Sequence, residues 1–194
     1  MVKRTLAALM AGVILLVTDL AAGAQPASAY ATFNRHKLIY GVGNYGASDQ
    51  YYWVDSSASG YSSTIDTAMD NWIYTSSYWG ITTPISYLRT STKSSSRMDH
   101  YKVSTVNSWW GLTQMFSGST QIDPLSANWV WAKVLLDGDF ANCPNKKGVI
   151  AHEQGHSMGL AHVYSGTAVM RADIGGLSIN RAQPDDLNGI NYLY

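Results

Sequence analysis

Two histidines and a glutamate near the carboxyl-terminal end of the chain have the spacing of a metal site. The segment reads AHEQGHSMGLAH, in which His152 and His156 are four residues apart and Glu153 follows the first histidine. On a helix, that spacing places both rings on the same face, where two imidazole nitrogens can bind one zinc ion. Glu153 is displaced by about 100° around the helix axis. Its carboxylate can therefore act as the general base on a zinc-activated water without binding the metal.

A third ligand, His162, requires the helix to end before it. On a straight helix, His162 would lie about 15 Å beyond His152 along the axis. Gly159 can adopt a positive φ, which ends the helix and turns the chain back, so that His162 can approach the metal. Three histidines leave the fourth position of a tetrahedral zinc open for water, as in catalytic rather than structural sites.

Composition supports this interpretation independently of the spacing. Glu153 is the only glutamate in the sequence, and three of the five histidines lie within this one segment. In a chain in which only 13% of the residues are charged, such a concentration is not the ordinary solvated face of a helix. We therefore interpret His152, His156 and His162 as metal ligands.

The pattern H-E-x-x-H-x-x-G-x-x-H is the signature of the metzincin metallopeptidases, and the sequence resembles them at every defined position. These proteins have a methionine-containing turn beneath the zinc, and the segment that ends at Met170, eight residues after His162, is similar to it. Within the metzincins, the run from Pro184 to Tyr194 resembles the last helix of matrixin-type catalytic domains.

The resemblance implies an α+β fold and an activity. The fold is a zincin domain with a twisted mixed sheet that has an antiparallel edge strand, an active-site helix and a C-terminal helix. The activity is zinc-dependent hydrolysis of peptide bonds in proteins or peptides, with Gly159 and Met170 supporting the site. Calcium sites are usual in the family. Asp137 and Asp139 are conceivable oxygen ligands, although a D-G-D sequence is more often a turn.

Two departures from the family pattern limit what can be carried over. Matrixins commonly have a His/Asp set for a second, structural zinc, and outside the motif only His36 and His100 remain. We therefore predict one zinc ion. Some metzincins also have a tyrosine ligand two residues after the turn methionine, where this sequence has Ala172.

Residues 1–29 have the pattern of a cleaved signal peptide. Lys3 and Arg4 precede an apolar run from Leu6 to Leu16, and Ala27-Ser28-Ala29 is typical of a cleavage site. The apolar run is short for a membrane span. We expect a catalytic domain over residues 30–194 that is secreted, extracellular and without a membrane anchor.

Charge and cysteine content restrict the partners and the means of stabilisation. The formal net charge is zero, which gives no reason to expect binding to nucleic acid or an anionic membrane, and we expect a monomer. Cys143 is the only cysteine, so no intramolecular disulfide can form. The simpler interpretation is a free thiol without a structural role. The weaker alternative is a ligand that caps the zinc in a latent form.

Hydrophobic periodicity predicts three helices and four strands. The helices are expected from Ser62 or Ser63 to Ile73, from about Asn145 through the histidine motif, and from Pro184 onward. The strands are expected over residues 37–43, 85–90, 99–106 and 128–137. Residues 50–59 and 91–97 are expected to be loops, and residues 109–111 have no clear assignment.

Two other functional classes fit parts of the sequence. The aromatic clusters Tyr51-Tyr52-Trp53 and Trp109-Trp110 would suit a secreted module that binds carbohydrate or cell wall. The H-E-x-x-H helix alone would also suit a metal-dependent hydrolase acting on a non-peptide bond. Casein hydrolysis that is blocked by a chelator and restored by zinc distinguishes the peptidase from both.

Overall fold

The computed structural model describes residues 30–194. The predicted signal peptide lies outside the described residues. Within them, no helix is both long enough and apolar enough to cross a bilayer.

The chain forms four helices and eight strands over residues 30–194. The helices are α1 (Ser62–Ile73), α2 (Ser76–Trp79), α3 (Lys146–Ser157) and α4 (Pro184–Leu193). The strands are β1 (Ala31–Thr32), β2 (Gln50–Val54), β3 (Tyr87–Arg89), β4 (Met98–Lys102), β5 (Gly111–Ser117), β6 (Thr120–Ile122), β7 (Trp131–Leu136) and β8 (Leu160–Ala161).

Six of the strands form one mixed sheet in the order β3-β2-β4-β7-β5-β6. The four strands from β3 to β7 are parallel, whereas β5 is antiparallel to β7 and β6 is antiparallel to β5. The predicted α+β class, the antiparallel edge, the active-site helix and the C-terminal helix are all confirmed. The edge is a hairpin, β5–β6, rather than a single strand.

The inner face of the sheet packs against α1 and α3. In β7, Ala132, Val134 and Leu136 are fully buried while the residues between them are half-exposed, which is the period-2 pattern of a strand with one face on the core. Helix α1 buries Ile65, Met69 and Trp72 against the same core. The indole nitrogen of Trp72 donates a hydrogen bond of 3.0 Å to the carbonyl of Ala151 in α3. The helix that carries the histidine motif is thereby fixed to α1.

The outer face of the sheet is partly covered by cations stacked on aromatic rings. The Lys93 ammonium lies 5.2 Å from the centroid of the Trp53 ring and 5.3 Å from that of Tyr101. The Lys133 ammonium lies 5.0 Å from the centroid of Phe116. These contacts cover part of the rings, while Tyr51, Leu88 and Leu112 of the same face remain exposed.

Most of the predicted elements agree with the structure. The three predicted helices are confirmed as α1, α3 and α4, and α4 has Pro184 at its first turn as expected. The predicted strands over residues 85–90, 99–106 and 128–137 contain β3, most of β4 and β7.

Three segments differ from the prediction. Residues 37–43 form only an isolated bridge between Leu38 and Trp129, because Gly41 and Gly43 adopt φ of 73° and 111° and bend the chain. Residues 50–54, expected to be a loop, form β2, in which aromatic residues occupy both faces and hide the usual alternation. Residues 109–111, left unassigned, lead directly into β5.

Candidate metal centre

Helix α3 presents the first two histidines and ends where the turn was expected. The side chain of Asn145 caps its start by accepting a hydrogen bond of 3.1 Å from the Gly148 amide. Gly159 follows the helix with a φ of 110°. A Cβ at this position would also lie 2.8 Å from Leu193 Cδ1. Both the backbone conformation and the lack of space therefore require glycine here.

The segment after Gly159 brings the third histidine back beside the helix. Strand β8 pairs antiparallel with β1, so that Ala161 is opposite Ala31. The Phe33 amide donates to the carbonyl of Gly159, and the Phe33 ring lies 5.6 Å from the His156 ring, measured between centroids. This small two-stranded sheet fixes the backbone just before His162 and thereby the direction of the His162 side chain.

The three predicted histidines converge on one point. The Nε2 atoms of His152 and His156 each lie 3.1 Å from Nε2 of His162. Within residues 30–194 they are the one group of three or more potential ligands whose binding atoms lie close together. His152 and His156 are buried, whereas His162 is exposed and lines the cleft.

Backbone carbonyls hold two of the rings in a defined tautomer. Nδ1 of His152 lies 2.8 Å from the carbonyl oxygen of Val169, and Nδ1 of His156 lies 2.8 Å from that of Leu160. A carbonyl only accepts, so each Nδ1 must carry the proton. The Nε2 lone pairs of both rings then face the common point, as outer-sphere partners orient metal-binding histidines in general.

The arrangement fits a zinc ion better than hydrogen bonding among the rings. A proton on Nε2 of His162 could be shared with one of the other two nitrogens but not with both, whereas one cation satisfies all three lone pairs. Two nitrogens bound tetrahedrally to one zinc lie about 3.3–3.4 Å apart, close to the observed separations. Neutral imidazoles without a thiolate among them also suit zinc.

Burial keeps the histidines neutral, as a metal ligand must be. Desolvation lowers the pKa of His152 to about 4 and that of His156 well below its ordinary value. It also lowers the pKa of His162. Because burial disfavours the charged, protonated form of each ring, the lone pairs are available at neutral pH.

Glu153 lies beside the histidines against the edge of the sheet. The Thr113 hydroxyl in β5 is 2.7 Å from Oε2 and 2.9 Å from the carbonyl oxygen of Glu153, and its single proton serves one of these acceptors. A Cβ on Gly111 would lie 2.7 Å from Glu153 Cγ, so the glycine makes room for the carboxylate. Burial raises the pKa of Glu153 to about 7, while the Thr113 hydrogen bond opposes that shift.

The turn that contains Met170 lies beneath the histidines. A Cβ on Gly155 would overlap Met170 Sδ, so the methionine packs directly against α3 between the two histidine positions. The Val163 amide donates to the carbonyl of Met170, which ties this turn to the residue after His162.

A buried carboxylate holds the same turn in place from below. Asp186 Oδ2 accepts hydrogen bonds of 2.8 Å from the amides of Val169 and Gln183, and Oδ1 accepts one of 3.3 Å from Met170. Burial raises the pKa of Asp186 to about 6, and these hydrogen bonds pull it down. Because the carbonyl of Val169 orients His152, Asp186 is connected to the metal centre through a single peptide unit.

Two cavities meet at the metal centre. One, of about 290 Å³, is lined by Met115, Gln121, Ile122 and Pro124, among others. The other, of about 340 Å³, lies between Trp109–Trp110 and Ile174–Gly176. Both are also lined by Gly111, Glu153 and His162, so the two cavities form one cleft that crosses the site.

The remaining candidate residues lie elsewhere in the domain. His36 hydrogen-bonds the carbonyl of Pro124, and His100 is buried under the sheet. Cys143 is buried in the core. Oδ1 of Asp137 accepts a hydrogen bond from the Asp139 amide, as in a turn, and Oδ2 accepts from the backbone and side-chain amides of Asn107, between β4 and β5.

The aromatic clusters do not form a shared exposed platform. Tyr52 is buried, and the Trp53 ring is covered by Lys93. Trp109 and Trp110 are half-buried and line the cleft.

Sequence reasoning missed three residues of the site. Thr113 has no motif of its own, and its role depends on the register of β5. Gly155 lies at one of the unspecified positions of the histidine motif. Asp186 is the third residue of α4, after the glutamine cap Gln183, and this spacing was the available signal.

The comparison with family models supports the assignment. The matrixin model matches residues 52–194, which includes α1, all of the six-stranded sheet except the first two residues of β2, the histidine motif and α4. A search of curated proteins found no match. The matched segment is most of the chain and contains the three converging histidines, and the chain therefore belongs to the matrixin family of zinc metallopeptidases.

Proposed function

We propose that the chain is a secreted zinc endopeptidase in which His152, His156 and His162 bind the catalytic zinc and Glu153 is the general base. The proposal depends above all on one observation. Two buried rings are fixed by backbone carbonyls so that their Nε2 atoms meet a third Nε2 at 3.1 Å. Such a convergence of three ring nitrogens favours a bound cation, because one proton on His162 can serve only one of the other two rings.

The zinc ion and the protein contribute different parts of the chemistry. When bound, zinc supplies Lewis-acid polarisation of the scissile carbonyl and lowers the pKa of a water to about 7. The Glu153 carboxylate accepts a proton from the attacking water and passes it to the departing amine. The Thr113 hydroxyl, 2.7 Å from Oε2, holds the carboxylate in one orientation.

The substrate backbone is expected to add to the sheet beside the metal centre. A peptide that lies antiparallel to β5 pairs with its main chain irrespective of sequence, and the two cavities accept side chains on either side of the cleaved bond. The cleft extends to both sides of the metal centre, which suits cleavage within a chain. Met170 and Asp186 support the ligands from below.

The replacement Glu153→Gln tests the assigned mechanism. It should leave zinc content unchanged, because Glu153 is not a ligand, and lower casein hydrolysis by about 10²–10⁴-fold, the usual contribution of a general base. Asp70→Asn removes the same charge from an exposed position of α1 and serves as the control. Near-full activity of the Glu153→Gln protein, at normal zinc content, would contradict the mechanism.

A second measurement separates the peptidase from the other classes. Hydrolysis of casein that stops with a chelator and returns with zinc supports the proposal. Zinc-dependent hydrolysis of esters without cleavage of peptides would favour a non-peptide hydrolase, and glycan binding by the zinc-free protein would favour a binding module. Amino-terminal sequencing of the exported protein tests whether residues 1–29 are removed.

A further inference from the structure

The hairpin β5–β6 occupies part of the edge at which a substrate would bind. The carbonyl of Trp110 accepts a hydrogen bond of 3.0 Å from the Asp137 amide. In an antiparallel ladder the direction of the backbone groups alternates from residue to residue. The backbone amides and carbonyls of the even-numbered residues of β5 therefore point toward β7. Those of its odd-numbered residues point away from β7, toward the edge.

Strand β6 uses half of these outward-facing groups. It pairs Ile122 with Met115 and Thr120 with Ser117, and a two-residue turn that contains Gly118, with a φ of 58°, closes the hairpin. Within β5, only Gly111 and Thr113 keep their outward amides and carbonyls free of strand pairing. The free edge is two residues long.

This short free edge lies directly beside the general base. Thr113 hydrogen-bonds Glu153, and Gly111 faces its side chain. A peptide antiparallel to β5 would run with its amino-terminal end toward Met115. It would therefore meet β6 within about two residues of the position opposite Thr113, since each strand residue advances about 3.4 Å.

The two cavities differ in whether the hairpin borders them. The cavity on the Met115 side ends at a wall formed by Gln121, Ile122 and Pro124 of the hairpin and the loop that follows it. The cavity on the other side is bounded by Ile174–Gly176, and among residues 30–194 no strand pairs with this edge of β5 there.

We propose that the β5–β6 hairpin is a specificity determinant that closes the amino-terminal side of the substrate cleft. It limits backbone recognition to about two substrate residues before the cleaved bond and leaves the carboxyl-terminal side to provide most of the binding. This inference rests on the proposed peptidase function. It goes beyond that function because it predicts which side of the cleaved bond provides most of the substrate recognition.

The first test uses two series of synthetic peptides with one cleavage site, extended residue by residue at either end. With the zinc-loaded protein, kcat/KM should rise with each carboxyl-terminal extension, whereas amino-terminal extension beyond the third residue should change it by less than about twofold. A newly available backbone pair with two hydrogen bonds would instead raise kcat/KM about tenfold. A rise of that size in the amino-terminal series would overturn the proposal.

The second test opens the edge with a matched pair of proline variants. Ile122→Pro removes an amide that faces β5, whereas Gln121→Pro removes one that faces away, so only the former should weaken the hairpin. In Ile122→Pro the amino-terminal series should gain up to about tenfold in kcat/KM per newly formed backbone pair. Gln121→Pro should keep the length dependence of the parent protein, whatever its overall activity, because Gln121 also lines the cavity. Identical profiles in the two variants would show that the hairpin is not the cause.

A binding measurement distinguishes failure of this inference from failure of the proposed function. The same peptides are titrated against the zinc-loaded Glu153→Gln protein, in which affinity should follow the length dependence expected for kcat/KM. Affinity that rises through the whole amino-terminal series contradicts the role of the hairpin. Tight binding with this asymmetry, but no hydrolysis by the parent protein, contradicts the peptidase function alone. If Ile122→Pro does not fold, the two peptide series with the parent protein still decide the matter.

Discussion

Helix α3 contacts buried histidines on two sides, and only one side is built for a metal. On the cleft side it carries His152 and His156. On the sheet side Gln154, fully buried, faces His100 of β4 at 3.4 Å between side-chain nitrogens. His100 is also fully buried, its Nδ1 lies 3.3 Å from the carbonyl oxygen of Trp53, and desolvation lowers its pKa to about 4.

The two histidine environments therefore share burial, a backbone partner for Nδ1 and a lowered pKa. They differ in what Nε2 meets. At His100 it meets an amide that can donate to it, whereas the Nε2 atoms of the triad meet one another. Burial and a fixed tautomer are thus insufficient to identify a metal ligand, and the deciding feature is a set of three ring nitrogens that a single proton cannot satisfy.

Replacing a histidine on each side of α3 should give the largest contrast. Loss of a residue that only orients a ligand costs about 10–100-fold in activity or metal affinity, so loss of a ligand should exceed about 100-fold. We expect His156→Gln to lower peptide hydrolysis by more than this factor. His100→Gln should change it less than about threefold, because it leaves the ligands in place. Comparable losses in kcat/KM would mean that the two sites are not functionally distinct.

Zinc should stabilise the fold only through the cleft side. A ligand present at about 1,000 times its dissociation constant adds about 4 kcal/mol to the free energy of unfolding. Denaturant unfolding with and without a chelator should show a difference of this order in the parent protein and in His100→Gln. The difference should vanish in His162→Gln. A chelator effect that survives the loss of His162 would place the stabilising ion elsewhere.

Acid should act on the sheet side through a separate proton. The unfolded chain protonates His100 below its ordinary pKa of 6.5, while burial keeps the folded form neutral down to about 4. The free energy of unfolding should therefore fall as the pH drops from 6.5 to 4, by about 3 kcal/mol from this residue. The triad also titrates, so the measurement is the difference between the parent protein and His100→Gln, both zinc-free. A difference that stays constant over this range would contradict the assignment.

The smallest effect is expected from the amide between the two environments. Gln154 Oε1 is buried and has no hydrogen-bond partner in residues 30–194, while its Nε2 serves His100. Gln154→Met removes an unsatisfied acceptor, which should stabilise the fold, and also removes the donor to His100, which should destabilise it by a similar amount. We expect the free energy of unfolding to change by less than about 1 kcal/mol in chemical denaturation. A loss of more than about 2 kcal/mol would indicate that Oε1 is satisfied in solution, for example by a buried water.

The sequence was most informative where spacing alone decides the geometry. Residues four apart on a helix must share a face, and a glycine before His162 must supply the turn, so the triad followed from the motif. The apolar residues of α1 likewise recur with the period of a helix, which fixes both the element and its buried face. The fold class came from the resemblance carried by the motif and by the last helix.

The sequence was least informative where a role depends on register or on cover from another element. The alternation in β2 was hidden because Trp53, on the outer face, is aromatic and is shielded by Lys93, which lies forty residues away. Met115 and Phe116 are consecutive and both buried, which obscured β5. The role of Thr113 becomes visible only once β5 is placed against α3. Such contacts are non-local, and no local pattern encodes them.

The position of Glu153, enclosed between the glycine and threonine of β5, gives this protein a spectroscopic advantage. Because it is the only glutamate in the chain, growth on glutamate labelled with carbon-13 at the side-chain carboxyl carbon would produce one glutamate carboxylate signal, which titrates, whereas labelled glutamine amides do not. Its chemical shift would report ionisation, zinc loading and peptide docking at the proposed general base itself. A nuclear magnetic resonance titration could thus follow one carboxylate in the unaltered enzyme, without the assignment problem that most proteases present.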